Sequence, residues 1–322
     1  MKIVCKASVG KKLSIARLRK EYDAVFVGSG AWSDVTLGVP GEEARGVASG
    51  IEFLKKVELG AMPKLTGDAV VVGGGNTAID AARSALRLGA KRVTVVYRRT
   101  REEMPVHPEE IEEALEEGVR FEFLVAPVEV VKDGRGGAAA LKLQRMRLGA
   151  FDDSGRRRPI PVENDFIEIA AANIIRAIGQ KPVVPDGGPP VSKRGTVNVD
   201  RFSLATQDAG VYAGGDVVLG PATAVEAIAH GRRAAEAIER YLHPGKHVHF
   251  PWNAPRALDT AFDPAAPTSA LARREPRKII PIKRRESFDE VELTLSAREA
   301  RAEAGRCLRC DFGKTIVSRE EE

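Results

Sequence analysis

Apolar runs and amphipathic segments alternate regularly between residues 69 and 124. The run "AVVV" has no polar position, which is typical of a strand covered on both faces of a parallel sheet. The next segment, residues 76 to 88, places Ile79, Ala82 and Leu86 at helical spacing on one face. The stretches "RVTVVY", "PEEIEEALEE" and "VRFEFL" continue as strand, helix and strand. This pattern predicts a βαβαβ unit, which is one half of a doubly wound parallel sheet.

The pattern differs on both sides of this unit. Before it, "KIVC" and "DAVFV" are predicted strands, with a helix at "SIARLRK" between them. After it, "VEVVKDGRGGAAALKLQRMRLG" is predicted to form a hairpin and "DDSGRRRP" a loop. Strands are predicted at "NIIRAIG", "GTVNV" and "GVYAGG". A helix follows from Thr223 to Leu242, where Thr223 and Glu226 have the spacing of a capping box.

The chain from His243 onward is less regular. Residues 251–285 are rich in Pro, Ala and Arg, and the stretch from Arg273 to Arg285 is strongly basic. We expect this stretch to be solvated or to wrap a protein partner, because no aromatic residues are interleaved that could stack nucleic-acid bases. A final helix is predicted from Ser296, with Glu299 completing a capping box, and it leads into "RCLRC".

Composition narrows the class of protein. The 322 residues are 43% hydrophobic and 30% charged, with a net charge of +5. A chain of this length and composition predicts about two globular domains and no nucleic-acid partner. No apolar run approaches a membrane span, and the N-terminus lacks the apolar core of a secretory signal. Only three cysteines occur, which predicts a reducing, cytoplasmic location.

Two glycine loops follow apolar strands, and only one fits a dinucleotide site. In "VFVGSGAWSD" the third small position is Ser33, and no helical pattern follows. In "VVVGGGNTAIDAA", by contrast, Gly73, Gly75 and Ala78 match the G-x-G-x-x-G/A fingerprint between a strand and a helix. The amide groups of that helix start would hold the pyrophosphate. Asn76 and Thr77, at the same helix start, are predicted to be phosphate ligands, helix caps or both.

The end of the second strand indicates which dinucleotide binds. NAD-binding loops usually carry an acid about twenty residues after the glycines. Arg98 stands there instead, followed by Arg99, and Arg101 is also basic. A guanidinium can hold the 2′-phosphate of NADP(H) with paired hydrogen bonds, so the cofactor is predicted to be NADPH. The alternative is that these arginines form only a solvated basic strand end.

These residues resemble a known family. The stretch from "VVVGGGNTAIDAARSALRLGAKRVTVVYRRTREEMPVHPEEIEEALEEGVRFEFLVAP" is similar to the NADPH domain of glutamate synthase small-subunit-like oxidoreductases. "GVYAGGDVVLGPATAVEAIAHGRRAAEAI" resembles their second flavin-contacting motif. "AVFVGSGAW" and "IIRAIGQKP" resemble the two turns where the chain passes between the flavin and NADPH domains. The resemblance covers roughly Lys2 to Leu242.

The resemblance implies an α/β fold in which a Rossmann-type NADPH-binding domain is inserted in an incomplete FAD-binding domain. It places the FAD-binding domain at residues 1–50 and 186–245, the NADPH domain at 51–185 and an irregular basic tail at 246–322. It implies hydride transfer from NADPH to FAD, without an acid–base residue, and onward electron transfer to a partner subunit or an iron–sulfur centre. The cofactor-binding residues that it implies are Gly73, Gly74, Gly75, Asn76, Thr77, Ala78, Arg98 and Arg99 for NADPH, and Gly215, Asp216, Thr223, Ala224 and Val225 for FAD.

Two departures from the family pattern leave alternatives open. The sequence holds one valid fingerprint, whereas the family also has a flavin βαβ unit with its own. Either another polypeptide completes the flavin site or the reading frame is truncated. A non-catalytic NADP(H)-binding or scaffold subunit is therefore the alternative function. The second departure is the Cys307-x-x-Cys310 pair. It is interpreted as part of an iron–sulfur or zinc site shared with a partner, as a redox dithiol or as a remnant. A shared site or a remnant is considered because two thiolates fall short of the four ligands that such a site needs.

Overall fold

The computed structural model describes residues 2–10, 13–61, 64–152, 155–245 and 277–306, and the chain divides into two units, 1–246 and 247–322. The helices are α1 (Ile15–Glu21), α2 (Gly50–Glu58), α3 (Asn76–Arg87), α4 (Pro108–Glu116), α5 (Asp216–Leu219), α6 (Ala224–Leu242), α7 (Pro281–Arg284) and α8 (Ala297–Arg306). The strands are β1 (Val25–Val27), β2 (Ser33–Asp34), β3 (Val47–Ser49), β4 (Ala69–Val72), β5 (Val93–Tyr97), β6 (Arg120–Phe123), β7 (Val125–Lys132), β8 (Ala138–Phe151), β9 (Arg157–Ala170), β10 (Asn173–Arg176), β11 (Gln180–Lys181), β12 (Val211–Ala213), β13 (Arg277–Lys278) and β14 (Glu292–Leu293).

A five-stranded parallel sheet, in the order β3-β10-β4-β5-β6, forms the main core. All four residues of β4 are buried, because α3 covers one face and the β7–β9 sheet packs against the other. The succession β4-α3-β5-α4-β6 confirms the predicted βαβαβ unit. The sheet begins at β3, slightly before the predicted domain boundary at residue 51.

A three-stranded antiparallel sheet, in the order β7-β8-β9, follows this unit. The predicted hairpin is present as β7 and β8, but the predicted loop "DDSGRRRP" was only partly right because β9 begins at Arg157. The sequence does not predict β9, because Pro159 and Pro161 interrupt the residue pattern of a strand. Proline is tolerated there because β9 lies at the edge of the sheet, where fewer backbone amides need partners.

Two short strand pairs join the segments on either side of the main sheet. β1 pairs in parallel with β12, and β2 pairs antiparallel with β11. The predicted strand "KIVC" is absent: Ile3 and Val4 are exposed and have no neighbouring strand among the described residues. "GTVNV" forms only an isolated bridge between Val191 and Val197.

The second unit is described for residues 277–306. β13 and β14 pair antiparallel, and α8 begins as predicted with reciprocal hydrogen bonds between Ser296 and Glu299. Cys307 and Cys310 lie outside the described residues. In the part of the chain that the structure describes, we find no helix with the length and apolarity needed to cross a bilayer.

A buried carboxylate joins α3 to the end of α4. Glu117 is fully buried and accepts hydrogen bonds from Arg83 at 2.6 Å and Arg87 at 3.2 Å. Arg83 also pairs with Glu113 at 3.0 Å. Burial by itself would lower the pKa of Arg83, but the carboxylates of Glu117 and Glu113 outweigh it and raise this pKa. The helix that follows the glycine loop is thus fixed by charge as well as by apolar packing.

Replacing Glu117 by Ala is expected to lower the free energy of unfolding by about 2 kcal/mol, because two largely buried arginines lose a partner while Arg83 keeps Glu113. Urea unfolding measures this loss. Glu109→Ala, at an exposed position in the first turn of α4, is the control and is expected to cost less than about 1 kcal/mol. Equal losses in the two variants would contradict a stabilising role for the buried cluster.

Candidate functional site

The three glycines between β4 and α3 each meet a different surrounding. Gly73 has φ +144°, and a Cβ there would lie 2.2 Å from the carbonyl oxygen of Ala177. A Cβ at Gly74 would lie 2.5 Å from the ring of Tyr97. A Cβ at Gly75, however, would meet nothing within 4 Å. The first two glycines permit close packing inside the protein, and the third leaves open space above the loop.

The start of α3 faces this open space. Gly75 is its N-cap residue and supplies no side-chain hydrogen bond. The first backbone N–H groups of the helix, at Asn76 and Thr77, therefore have no acceptor within the helix and can donate to a ligand. Ala78 is fully buried, which lets α3 pack closely on β4. A helix N-terminus with uncapped amides and a positive dipole end binds phosphate groups well. The geometry therefore fits the pyrophosphate of a dinucleotide.

The two predicted 2′-phosphate arginines differ in environment. Arg98 is exposed and has no hydrogen bond or ion pair within the described residues. Partial burial and the charges of Arg99 and Arg156 lower the pKa of Arg98. Arg99 is 3% exposed and is held by Asp152 at 2.7 Å and by the carbonyl oxygen of Arg157 at 2.6 Å. Arg98 is thus the more accessible of the two.

A cleft of about 570 Å³ lies between the turn after β1 and the start of α6. It is lined by Phe26, Gly28, Gly30, Ala31, Trp32, Ile51, Gln180, Gly214, Gly215, Asp216, Ala222, Thr223, Ala224 and Ala227. The volume lies in the range of small-molecule and cofactor sites. The structure thus brings together four of the predicted flavin residues with the "VFVGSGAW" turn, whereas Val225 is 75% exposed and does not line the cleft.

The start of α6 carries the predicted capping box. The hydroxyl of Thr223 accepts from the amide of Glu226 at 3.2 Å, and the carboxylate of Glu226 accepts from the amide of Thr223 at 2.9 Å. The amides of Ala224 and Val225 have no acceptor within the helix, because they lie in its first turn. These two donors and the helix dipole favour a negative group at this end of the cleft.

His230 is a residue of this site that the sequence did not reveal. It is buried on α6, and its Nδ1 accepts a hydrogen bond from the amide of Gly215 at 3.2 Å. Gly215 has φ +71°, so this bond holds a backbone turn that favours glycine. Burial and the charge of Arg233 lower the pKa of His230, while Glu226 acts in the opposite direction. The neutral form is the one that can accept this bond.

Stability is therefore expected to depend on pH through His230. The folded protein binds the proton less readily than the unfolded chain, so the contribution is complete above the ordinary pKa of 6.5 and is lost as pH falls below it. Urea unfolding between pH 8 and pH 5 measures this loss, and His230→Ala is expected to lose less stability than the wild-type chain over this range. Parallel curves for the two proteins would contradict the role of His230.

Arg176, the last residue of the main-sheet strand β10, forms ion pairs with β2 and with the segment between β2 and β3. It lies at the end of β10 and pairs with Glu42 at 2.5 Å and, more distantly, with Asp34 of β2 at 3.8 Å. Burial alone would raise the pKa of Glu42, but hydrogen bonds from Arg176 and from two backbone amides hold it below its ordinary value. These ion pairs thus stabilise the contact of the end of β10 with β2 and the segment after it, next to the β2–β11 pair.

The sequence missed the aromatic residues of the cleft. Trp32 is 67% exposed and lines the cleft together with Phe26. The strand followed by Gly28-x-Gly30 was the available signal for this wall. Among the described residues no group of three or more His, Cys, Asp or Glu side chains could hold a metal ion. Cys5, the described cysteine, is free and exposed.

Comparison with known proteins adds three findings. The family described as pyridine nucleotide-disulphide oxidoreductase matches residues 4–231. The NADP(+)-dependent formate dehydrogenase subunit beta of Moorella thermoacetica is 42% identical over 98% of this chain and 46% of its own length. The glutamate synthase [NADPH] small chain of Escherichia coli K12 is 34% identical over 73% of this chain and 53% of its own length.

A solved structure, Mycobacterium tuberculosis FprA in complex with NADPH, superposes with a TM-score of 0.61 and 21% identity, covering 73% of this chain and 67% of FprA. At this identity the likeness shows the fold, which is that of flavoproteins with two dinucleotide-binding domains. The chain spans about half the length of the curated relatives that it matches.

Proposed function

The chain belongs to the pyridine nucleotide-disulphide oxidoreductase family, and from this premise we propose that it takes hydride from NADPH onto FAD and passes the electrons to a partner. The observation that carries the proposal is the pair of surfaces described above. One is the uncapped start of α3 with open space above Gly75, and the other is the cleft beside Gly215 and the start of α6. The resemblance to glutamate synthase small subunits rests on the same residues.

On the NADPH side, we assign Gly73, Gly74, Gly75, Asn76, Thr77 and Ala78 to the pyrophosphate loop. The amides of Asn76 and Thr77 donate to the phosphate oxygens, and Gly75 leaves room for them. Arg98 contacts the 2′-phosphate, with Arg99 buried behind it. The absence of an acid at the end of β5 removes the repulsion that would disfavour that phosphate.

On the flavin side, we assign Gly215 and Asp216 to the ribityl and pyrophosphate part of FAD. Thr223, Ala224 and the first-turn backbone amide of Val225 are assigned to the ring, since the side chain of Val225 does not line the cleft. FAD, once bound, supplies a ring that accepts hydride directly and releases electrons singly. The first-turn amides of α6 and its dipole favour the negative charge of the reduced ring. No acid–base side chain is needed for the transfer.

A protein partner is part of the proposal. The relatives named above are subunits, beta or small, of larger enzymes. We propose that an iron–sulfur centre on a partner receives the electrons, and that Cys307 and Cys310 contribute two thiolates to a shared cluster. The cytoplasmic location predicted from cysteine usage stays part of this proposal.

The alternative, an NADP(H)-binding subunit without flavin chemistry, is favoured by one observation. The described sheet beside the cleft has two strands, β1 and β12, and Trp32, which lines the cleft, is 67% exposed. Titration of the purified chain with FAD, followed by gel filtration and an absorption spectrum, separates the two functions. Retained flavin supports the oxidoreductase, and NADPH binding with no retained flavin supports the alternative.

A further inference from the structure

One buried side chain joins the two walls of the cleft. The first wall is the segment after β12, where Gly214, Gly215 and Asp216 line the cleft, and the second wall is the start of α6. His230 lies on α6, and its Nδ1 accepts a hydrogen bond from the amide of Gly215 at 3.2 Å. His230 is itself buried and is not one of the residues that line the cleft. It can therefore affect a bound ligand through the position of the first wall.

The first wall is closely packed around this hydrogen bond. A Cβ at Gly214 would lie 2.9 Å from the ring of Phe26 and 3.0 Å from the Cβ of His230. A Cβ at Gly215 would lie 3.6 Å from the Cβ of Ala227, which is also on α6. The φ of Gly215 is +71°, a conformation that residues with a Cβ rarely adopt. The first wall is thus packed between Phe26 and α6, and the hydrogen bond to His230 fixes the direction of the Gly215 amide.

The charge state of His230 decides whether this bond can form. A neutral imidazole has an acceptor nitrogen, whereas the imidazolium ion carries a proton on both nitrogens and has no acceptor. The charged groups around the ring are Glu226 and Arg233 on α6, and Asp216 follows Gly215 in the first wall. The strands β1 and β12 carry no charged side chain. Burial and Arg233 lower the pKa of His230 and Glu226 opposes them, so the neutral ring predominates at pH 7.

We propose that His230 is a positioning residue for FAD in the cleft, and that FAD binds more weakly when His230 is protonated. The inference rests on the flavin site proposed above and adds a residue that controls its affinity. Neutral His230 holds Gly215, and with it Gly214 and Asp216, in the arrangement that lines the cleft. Protonation removes the acceptor and brings two N–H donors, those of Gly215 and of the imidazolium ion, against each other. Because FAD then favours the neutral form, protons and FAD must oppose each other's binding.

The test is calorimetric titration of the purified chain with FAD at pH 8 and at pH 5, with circular dichroism to confirm that the chain is folded at both values. The dissociation constant of the wild-type chain is expected to be about fivefold larger at pH 5. In His230→Asn the side-chain oxygen replaces Nδ1 as the acceptor but does not titrate. This variant is expected to bind FAD as the wild-type chain does at pH 8, and to change by less than twofold between the two pH values.

Two further variants complete the comparison. His230→Ala has no acceptor at this position, so it is expected to bind FAD about fivefold more weakly than the wild-type chain at pH 8, with little further change at pH 5. His243→Asn is the matched control. His243 is exposed at the end of α6 and pairs with Glu239 at 2.9 Å, away from the residues that line the cleft. This control is expected to keep the fivefold change of the wild-type chain.

The tautomer of His230 provides a second measurement, which requires neither a variant nor bound flavin. A ring that accepts at Nδ1 carries its proton on Nε2 when it is neutral. Nitrogen NMR spectra of the wild-type chain with labelled histidine, at pH 8, are therefore expected to show an unprotonated Nδ1 at His230. A proton on Nδ1 under these conditions would overturn the inference, because the bond to the Gly215 amide could not exist.

The outcomes separate this inference from the function on which it rests. If the wild-type chain binds no FAD at either pH, the flavin site fails, and the role of His230 fails with it. If the wild-type chain binds FAD equally at both pH values, the flavin site stands and the role of His230 is overturned. The same fivefold change in His230→Asn also overturns it, as does loss of the change in His243→Asn, because another titrating group then explains the effect.

Discussion

Replacing Gly75 by Val is expected to raise the dissociation constant of NADPH about a hundredfold, a loss of roughly 2.7 kcal/mol, while the chain stays folded. A Cβ at Gly75 meets no protein atom within 4 Å, and the residue has φ −100°, which any side chain adopts. The added methyl groups therefore fill the space in which the pyrophosphate is proposed to lie. Fluorescence titration with NADPH, together with a thermal melt, measures both parts of the prediction.

Gly134→Val is the matched control for this substitution. Gly134 lies between β7 and β8, and a Cβ there also meets nothing within 4 Å. The control is expected to bind NADPH as the wild-type chain does. Undiminished binding in Gly75→Val would place the nucleotide elsewhere on the protein.

Gly73→Ala is expected to lower the free energy of unfolding by roughly 4 kcal/mol, close to the whole stability of many domains. Two costs combine at this position. The φ of +144° disfavours any residue with a Cβ, and that Cβ would lie 2.2 Å from the carbonyl oxygen of Ala177. The two backbone segments cannot move apart easily. The amide of Ala177 donates to the carbonyl oxygen of Val72 at 2.7 Å, and the amide of Gly73 donates to that of Val96 at 3.0 Å.

Gly136→Ala separates the two costs. Gly136 has φ +76° with nothing near its Cβ position, so the substitution carries backbone strain alone and is expected to cost about 1 kcal/mol. Urea unfolding of both variants gives the comparison. If Gly73→Ala costs no more than Gly136→Ala, the close contact between β4 and the segment after β10 does not constrain the loop.

The loop and helix start that we propose for the nucleotide were predictable, because their signals are local. A strand, three glycines and a helix follow one another in "VVVGGGNTAIDAA", and each element has its own pattern. The sequence could assign Gly73 only to a tight turn, however. Its contact with Ala177 joins residues about a hundred positions apart, and such a contact leaves no periodic trace.

The cleft that we propose for the flavin was less predictable, because contacts between residues distant in the sequence build it. His230 looks like an ordinary helix residue in "AIAHGRR", and its role follows only from the position of the Gly215 amide. The paired arginines after β5 look equivalent in "YRRT". In the structure Arg99 is buried and pairs with the distant Asp152, whereas Arg98 is exposed. The edge strand β9 was missed because its two prolines interrupt the apolar pattern.

We propose that the α3 loop holds NADPH where it can reduce a flavin in the cleft beside α6. Anaerobic mixing of the FAD-loaded chain with NADPH, followed by visible absorbance, tests it most directly. NADPH is expected to bleach the flavin band, and NADH at the same concentration is expected to bleach it at least about tenfold more slowly, in line with a charge-assisted contact to the 2′-phosphate. Bleaching at equal rates by both nucleotides, or by neither, would contradict this arrangement of the two cofactors.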